Sequence, residues 1–397
     1  VKRVLTMLLV VVLGVSLVGI VGLGKGKIAI ILDVGGRGDQ SFNDMAFAGA
    51  RRAAEEFGLE VVDVASNSPN DYTPNVRNTS RSGEFDLIIA TGFLLTGALN
   101  EVAPDFPDQA YAIVDVAAGP PPWNTQGPNI MNLVFNENEM SALVGALGAM
   151  TAAHYGYPKF GAVLGIPGSV LYHFEAGLRF GIDWANQKWV DIYDTNPGIE
   201  FLYNYIMSFD DEELGETTTT AQLAGGAVGV YNVAGPVGFG DHRAIVNAHT
   251  LAGTVSGPPY YFGVDANQDY FSHTLASGMK RVDIAVYEAI KAVVEGTFSD
   301  MVTAGGYHGT LVNNGVKLSK AEDLLEFIEF GVAAGAEIDF YQTIADWGSE
   351  RAALPDEIWT AIAELEAGIL DGSIAVPTAN TDDDMAAIRE QYTLGAP

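Results

Sequence analysis

From Lys27 onward, short runs of apolar, β-branched and aromatic residues alternate with longer stretches in which apolar positions recur every three or four residues. The first pattern suits a strand buried on both faces and the second a helix buried on one, so their alternation predicts βαβ units around a parallel sheet. Strands are predicted at Ile28–Leu32, Asp86–Ala90, Ala110–Val114, Phe160–Leu164, Phe201–Met207, Ala227–Val233 and Tyr260–Val264. Helices fill the gaps, the clearest over Ser41–Phe57, Glu139–His154, Val170–Gln187, Lys280–Glu295, Lys320–Phe330 and Asp356–Asp371. The Pro- and Gly-rich stretch Gly119–Pro128 reads as a loop, and the tail after Pro377 as acidic and weakly patterned.

In an open parallel sheet, ligands bind beyond the carboxyl ends of the strands. Those positions here are Asp33 to Asn43, Thr91-Gly92-Phe93, Asp115, Ser208 to Asp211, Ala234-Gly235-Pro236 and Asp265, which concentrate aromatic rings, carboxylates and glycines in one place. The segment from Asp33 to Asn43 is the most informative. Its glycines let backbone approach a ligand, Ser41 is positioned to cap the next helix, and Phe42 and Asn43 project from the first turn. It lacks the Gly-Lys-Ser/Thr ending of a phosphate loop, and Asp39 would repel a phosphate, so a neutral ligand rich in hydrogen-bond donors fits better.

Other motifs carry less. Gly235-Pro-Val-Gly238-Phe-Gly240 follows a strand but has the wrong spacing for a dinucleotide fingerprint. Ser277 and Lys280 match a Ser-x-x-Lys core, yet its partner motifs are missing; Ser277 reads instead as the cap of a helix that holds Lys280 in its first turn, where a cation calls for a specific partner. The histidines stand apart without zinc spacing, and no Gly-x-Ser-x-Gly elbow occurs. No metal, cofactor or catalytic set is expected.

Composition narrows the class. A chain of 397 residues calls for two globular units. With 50 acidic and 20 basic side chains its formal charge is -30, which opposes nucleic acid and anionic lipid as partners. With no cysteine in the sequence, neither disulfides nor a diacylated lipoprotein N-terminus is expected. Lys2 and Arg3 precede an uncharged apolar run from Val4 to Leu23, so residues 1–24 read as an export signal or an uncleaved membrane anchor, with the rest outside the cytoplasm, in a periplasm or on the outer face of the membrane.

An ordered series of segments resembles the basic membrane protein family of substrate-binding proteins, which includes bacterial purine nucleoside receptors. The series includes Asp39-Gln-Ser-Phe42-Asn43, Ala90-Thr-Gly-Phe93, Phe106 to Asp115, Phe174-Glu-Ala-Gly-Leu, Ser208-Phe209-Asp210-Asp211, Asn232-Val-Ala-Gly235, Gly263-Val-Asp265, Lys280-Arg-Val-Asp and Gly372 to Pro377. The resemblance implies an α/β class, the type I periplasmic-binding-protein fold, in which two Rossmann-like lobes with parallel sheets are joined by hinge crossovers. The expected division is 25–135 plus 265–308 for one lobe, 136–264 plus 309–377 for the other, and 378–397 as the tail. It implies a monomeric, non-enzymatic receptor that closes on a purine nucleoside and docks on an ABC permease. Phe42 and Phe209 would sandwich the base, Asp39, Asn43 and Asp115 would meet its polar edges, and Gly235, Asp265 and Lys280 would hold the ribose; Ser41 is counted with them as a ligand-binding residue. A receptor for a sugar or free base, or an exported nucleoside hydrolase using Asp33, Asp39 and Asp115, remains the alternative.

Overall fold

The computed structural model describes residues 26–395, and the predicted export segment lies outside them. Twelve strands form two six-stranded sheets among the described residues. The first sheet is built from β1 (Lys27–Ile31), β2 (Glu60–Val64), β3 (Leu87–Ala90), β4 (Ala110–Val114) and β5 (Ile130–Phe135), and the second from β6 (Lys159–Leu164), β7 (Glu200–Tyr205), β8 (Ala227–Val233), β9 (Tyr260–Asp265) and β10 (Thr274–Lys280). Two short strands complete them, β11 (Tyr307–Gly309) at the edge of the first and β12 (Val316–Leu318) at the edge of the second. The strand orders are 11-5-4-3-1-2 and 12-10-9-8-6-7, so each strand of one sheet has a counterpart in the other: β1 with β6, β3 with β8, β4 with β9 and β5 with β10.

The helices are α1 (Phe42–Phe57), α2 (Tyr72–Ser82), α3 (Thr96–Val102), α4 (Glu137–Tyr155), α5 (Ser169–Tyr193), α6 (Glu212–Ala224), α7 (Gly238–Ala252), α8 (Val282–Glu295), α9 (Phe298–Thr303), α10 (Ala321–Ala333), α11 (Phe340–Ala352), α12 (Asp356–Leu370) and α13 (Asp382–Gln391). They cover both faces of the sheets, which explains the near-continuous apolar strands. In β1 and just beyond it, Ile28, Ile30 and Leu32 pack in one core with Met45 and Ala46 of α1, while Ala29 and Ile31 pack in another with Tyr72, Val76 and Leu99. Among the described residues no helix is long and apolar enough to cross a membrane.

The chain passes between the sheets three times, from β5 into α4, from β10 into α8, and from β11 to β12. These passages lie side by side. The Asn136 amide donates to the Gly309 carbonyl at 2.8 Å, the Arg281 amide to Gly315 at 2.9 Å, and the Leu311 amide to Glu139 at 2.7 Å.

Three expectations change. Thr274–Lys280 is a strand, paired in parallel with β9, and α8 starts only at Val282. Ser277 therefore caps nothing; its hydroxyl donates to Asp269 and accepts from the Gln268 amide. Small residues that look like a turn are packing necessities, since a side chain at Gly278 would meet the Tyr231 hydroxyl at 2.4 Å. The expected lobe boundary at 265 moves accordingly, because β10 belongs to the second sheet and the return to the first begins at α8. Finally, the acidic tail contains α13, which is capped by Thr381 and buries Met385 and Ile388 against Tyr172 and Ala176 of α5.

Helix α1, which presents Phe42 and Asn43, is fixed by a close crossing with α8. A Cβ at Gly49 would lie 2.1 Å from the Asp283 carbonyl oxygen, a backbone atom that cannot swing away. Gly49→Ala is expected to destabilise the protein by about 1–3 kcal/mol in urea unfolding, whereas Gly97→Ala in α3, where a Cβ meets nothing within 4 Å, should be neutral or stabilising. Equal midpoints for the two variants would show that the crossing yields freely.

Candidate functional site

A single connection builds one wall. Between β1 and α1, Asp39 turns back on the helix start, and its carboxylate accepts the amides of Ser41, Asn43 and Asp44 and the Asn43 side-chain NH2, at 2.7–3.1 Å. Asp39 is thus the cap that Ser41 was expected to be. The Ser41 hydroxyl donates instead across to the second sheet, to the Val264 carbonyl at 3.1 Å and Asp265 Oδ2 at 3.2 Å. Asn43 Oδ1 accepts the Asp33 amide, which fixes the loop from its other end.

Between the carboxyl ends of the two sheets lies a cavity with about 550 Å³ of empty space, part of it open to solvent. Asp39, Phe42, Asn43, Asp115, Phe209, Gly235, Asp265 and Lys280 all line it; Ser41 does not, being fully buried behind Asp265. Equivalent strand ends contribute equivalent groups. Asp115 follows β4 and Asp265 ends its counterpart β9, and both adopt left-handed backbone, with φ of 66° and 61°. Each ring rests on a glycine: a Cβ at Gly92 would lie 3.2 Å from Phe42, and one at Gly165 would lie 2.1 Å from Phe209.

Lys280 is the centre of the charge distribution. Its ammonium, almost wholly buried, donates to Asp115 Oδ2 at 2.7 Å and stands 3.7 Å from Glu137 and 3.8 Å from Asp265. The Phe42 ring centre lies 4.9 Å from it and that of Phe174 5.5 Å, a cation–π setting. Burial opposes the charge on Lys280, but the fields of Asp115, Asp265 and Glu137 outweigh it and hold its pKa above the ordinary lysine value. Burial pushes Asp115 up to about 7, with Lys280 pulling it back and Glu137 pushing it further. Asp265 is raised for the same first reason, against the pull of Lys280. Both aspartates keep one buried oxygen, Oδ1, without a hydrogen-bond partner. Unpaired buried acceptors are costly, and of these two the Asp265 oxygen is eased by the Lys280 ammonium 3.8 Å away.

Further groups, outside the expected ligand-binding set, line or support the cavity. Asp33 lines the cavity, accepts from the Tyr72 hydroxyl, and is pushed by burial up to about 6 despite that bond. Phe93 follows β3 and meets Phe209 edge-on, with ring centres 5.9 Å apart, so the direct aromatic neighbour of Phe209 is Phe93. Leu171 and Phe174, in the first two turns of α5, form an apolar wall. The strand-end rule reached Asp33 and Phe93 as positions; nothing in the local sequence marks Glu137, which matters because the first crossing between the sheets brings it to Lys280.

Residues 26–327 match the family described as ABC transporter substrate-binding protein PnrA-like. The chain is 33% identical over 94% of its length to an uncharacterized lipoprotein of Pyrococcus abyssi, 89% of which is covered. It is 26% identical, over 89% of each chain, to the ABC transporter nucleoside-binding protein BmpA of Lactococcus lactis. Among solved structures it resembles an ABC transporter solute-binding protein from Aeropyrum pernix K1, with a TM-score of 0.82, 34% identity, and coverage of 92% of this chain and 97% of that one. The two-sheet fold, the cavity between strand ends and these likenesses agree: the chain belongs to the basic membrane protein family of PnrA-like ABC transporter substrate-binding proteins.

Proposed function

We propose that this substrate-binding protein takes a purine nucleoside into the cavity between its sheets and presents it, outside the cytoplasm, to an ABC permease. The observation that carries the reading is a division of labour within the cavity. Phenyl rings from beyond the ends of both sheets, Phe42 and Phe209, offer faces for a flat base, and the carboxylates of Asp115 and Asp265 flank Lys280 as acceptors for sugar hydroxyls. A carboxylate accepting hydroxyl hydrogens forms charge-assisted bonds, and stacking supplies the apolar part of the affinity. The nucleoside-binding name of the Lactococcus relative points the same way.

Residues 26–135 with 282–309 then form one lobe and the remainder the other, and ligand shifts the open and closed populations because each lobe holds part of the site. Calorimetric titration is the test. Inosine or guanosine should bind at least tenfold more tightly than hypoxanthine or ribose alone, since each fragment satisfies only one half of the cavity. Equal affinity for ribose would turn the assignment to a sugar receptor, and release of free base from inosine would turn it to a hydrolase.

A further inference from the structure

Behind the cavity wall, Glu137 is shared. One of its oxygens faces the Lys280 ammonium at 3.7 Å, and the other meets Nδ1 of His173 at 2.9 Å. The far nitrogen of that ring, Nε2, meets Asn380 Oδ1 at 3.1 Å, and the Ser169 hydroxyl donates to the same oxygen. Both imidazole nitrogens thus face oxygen acceptors, and only the doubly protonated ring can donate to both. The surroundings favour that charge. Glu137 touches the ring, Asp115 lies beyond it, and on the tail side Asp382 accepts from the adjacent Tyr172 hydroxyl. Lys280 is the cation on the far side of Glu137, while Arg179 and Arg389 are both engaged by Glu175, two residues further along α5.

We propose that His173 is held as an imidazolium and serves as a positioning residue: by engaging Glu137 it leaves Lys280 to Asp115 and Asp265 at the cavity wall, and it ties that arrangement to the C-terminal segment through Asn380. Without the second cation, Glu137 would be left to draw the ammonium away from Asp115. Burial works against a charged His173, but the Glu137 contact, the Asn380 oxygen and the field of Asp115 together outweigh it and hold its pKa above the ordinary histidine value. The consequence for ligand binding rests on the reading of the cavity as the nucleoside site.

The test has two parts that need no ligand. In NMR titrations of the full chain, the His173 ring should titrate above the ordinary value of about 6.5, and Glu137→Gln should lower its midpoint. In His173→Gln, the Asp115 carboxyl should titrate higher than in the wild type because it has lost part of its hold on Lys280. A third part is calorimetry. In the wild type, affinity should decline as pH rises through the His173 midpoint; His173→Gln should weaken inosine binding by roughly tenfold, the loss of one charge-assisted contact, and should abolish that decline. A His173 ring titrating at or below the ordinary value, or an Asp115 midpoint unmoved by His173→Gln, overturns the inference. If the wild type binds no nucleoside, the functional reading fails, and the two ligand-free titrations still decide the role of His173.

Discussion

Lys280→Met is expected to lose nucleoside binding and about 3–5 kcal/mol of stability at pH 7.5, the usual cost of removing one partner from a buried ionic cluster. Lysine and methionine fill similar space, so the effect isolates the charge. Asp115, Asp265 and Glu137 would remain within a dry wall with no ammonium among them. Burial already pushes Asp115 up to about 7 with Lys280 present, and without it the carboxyl would hold its proton at neutral pH. Such a group binds more protons folded than unfolded, so its contribution to stability falls as pH rises. The deficit of the variant should therefore be largest near pH 8 and shrink toward pH 5. Urea midpoints at three pH values check this, and a deficit independent of pH would mean that the cluster is not electrostatically coupled.

Phe209→Ala and Phe42→Ala are expected to weaken binding of inosine by roughly 1–3 kcal/mol per ring, from about fivefold to more than a hundredfold in Kd. Phe209→Ala should be the more severe, since it also removes the edge-on contact with Phe93 and opens the space over Gly165. Phe298 on α9 is only partly buried against the core, so Phe298→Ala is the control: it should lower the melting temperature without changing Kd. Titration calorimetry decides, and unchanged affinity in both pocket variants would remove the stacked base from the proposal.

Much of this architecture was legible because two simple rules operate in most of the chain. Strands such as β1, β4 and β8 are buried on both faces and write uninterrupted apolar runs, and the site must lie where those runs end. The rule points to Phe42, Asp115, Phe209 and Asp265, which line one cavity in the fold. It failed at β10, where close packing against Tyr231 selects Ser277 and Gly278, residues that elsewhere signal caps and turns. It failed also at Ser41. Serine and aspartate are both good caps, and only the fold decides that Asp39 reaches the free amides while the Ser41 hydroxyl crosses to the opposite sheet. Glu137 and His173 were invisible for a different reason: each is ordinary on its own helix, and their meeting depends on contacts between α4, α5 and the tail.

The triple passage of the chain between the sheets has a consequence for biosynthesis. The first sheet cannot receive its edge strand β11, nor α1 its partner α8, until every residue of β6 to β10 has been made. An incomplete first unit must wait with one flank bare while the second is emitted. Closing so long a detour of chain is slow, because its entropy cost comes before the contacts that repay it. The molecule is thus a poor candidate for division into two separately produced halves at any single cut, since each half would lack pieces that only the other end of the polypeptide supplies.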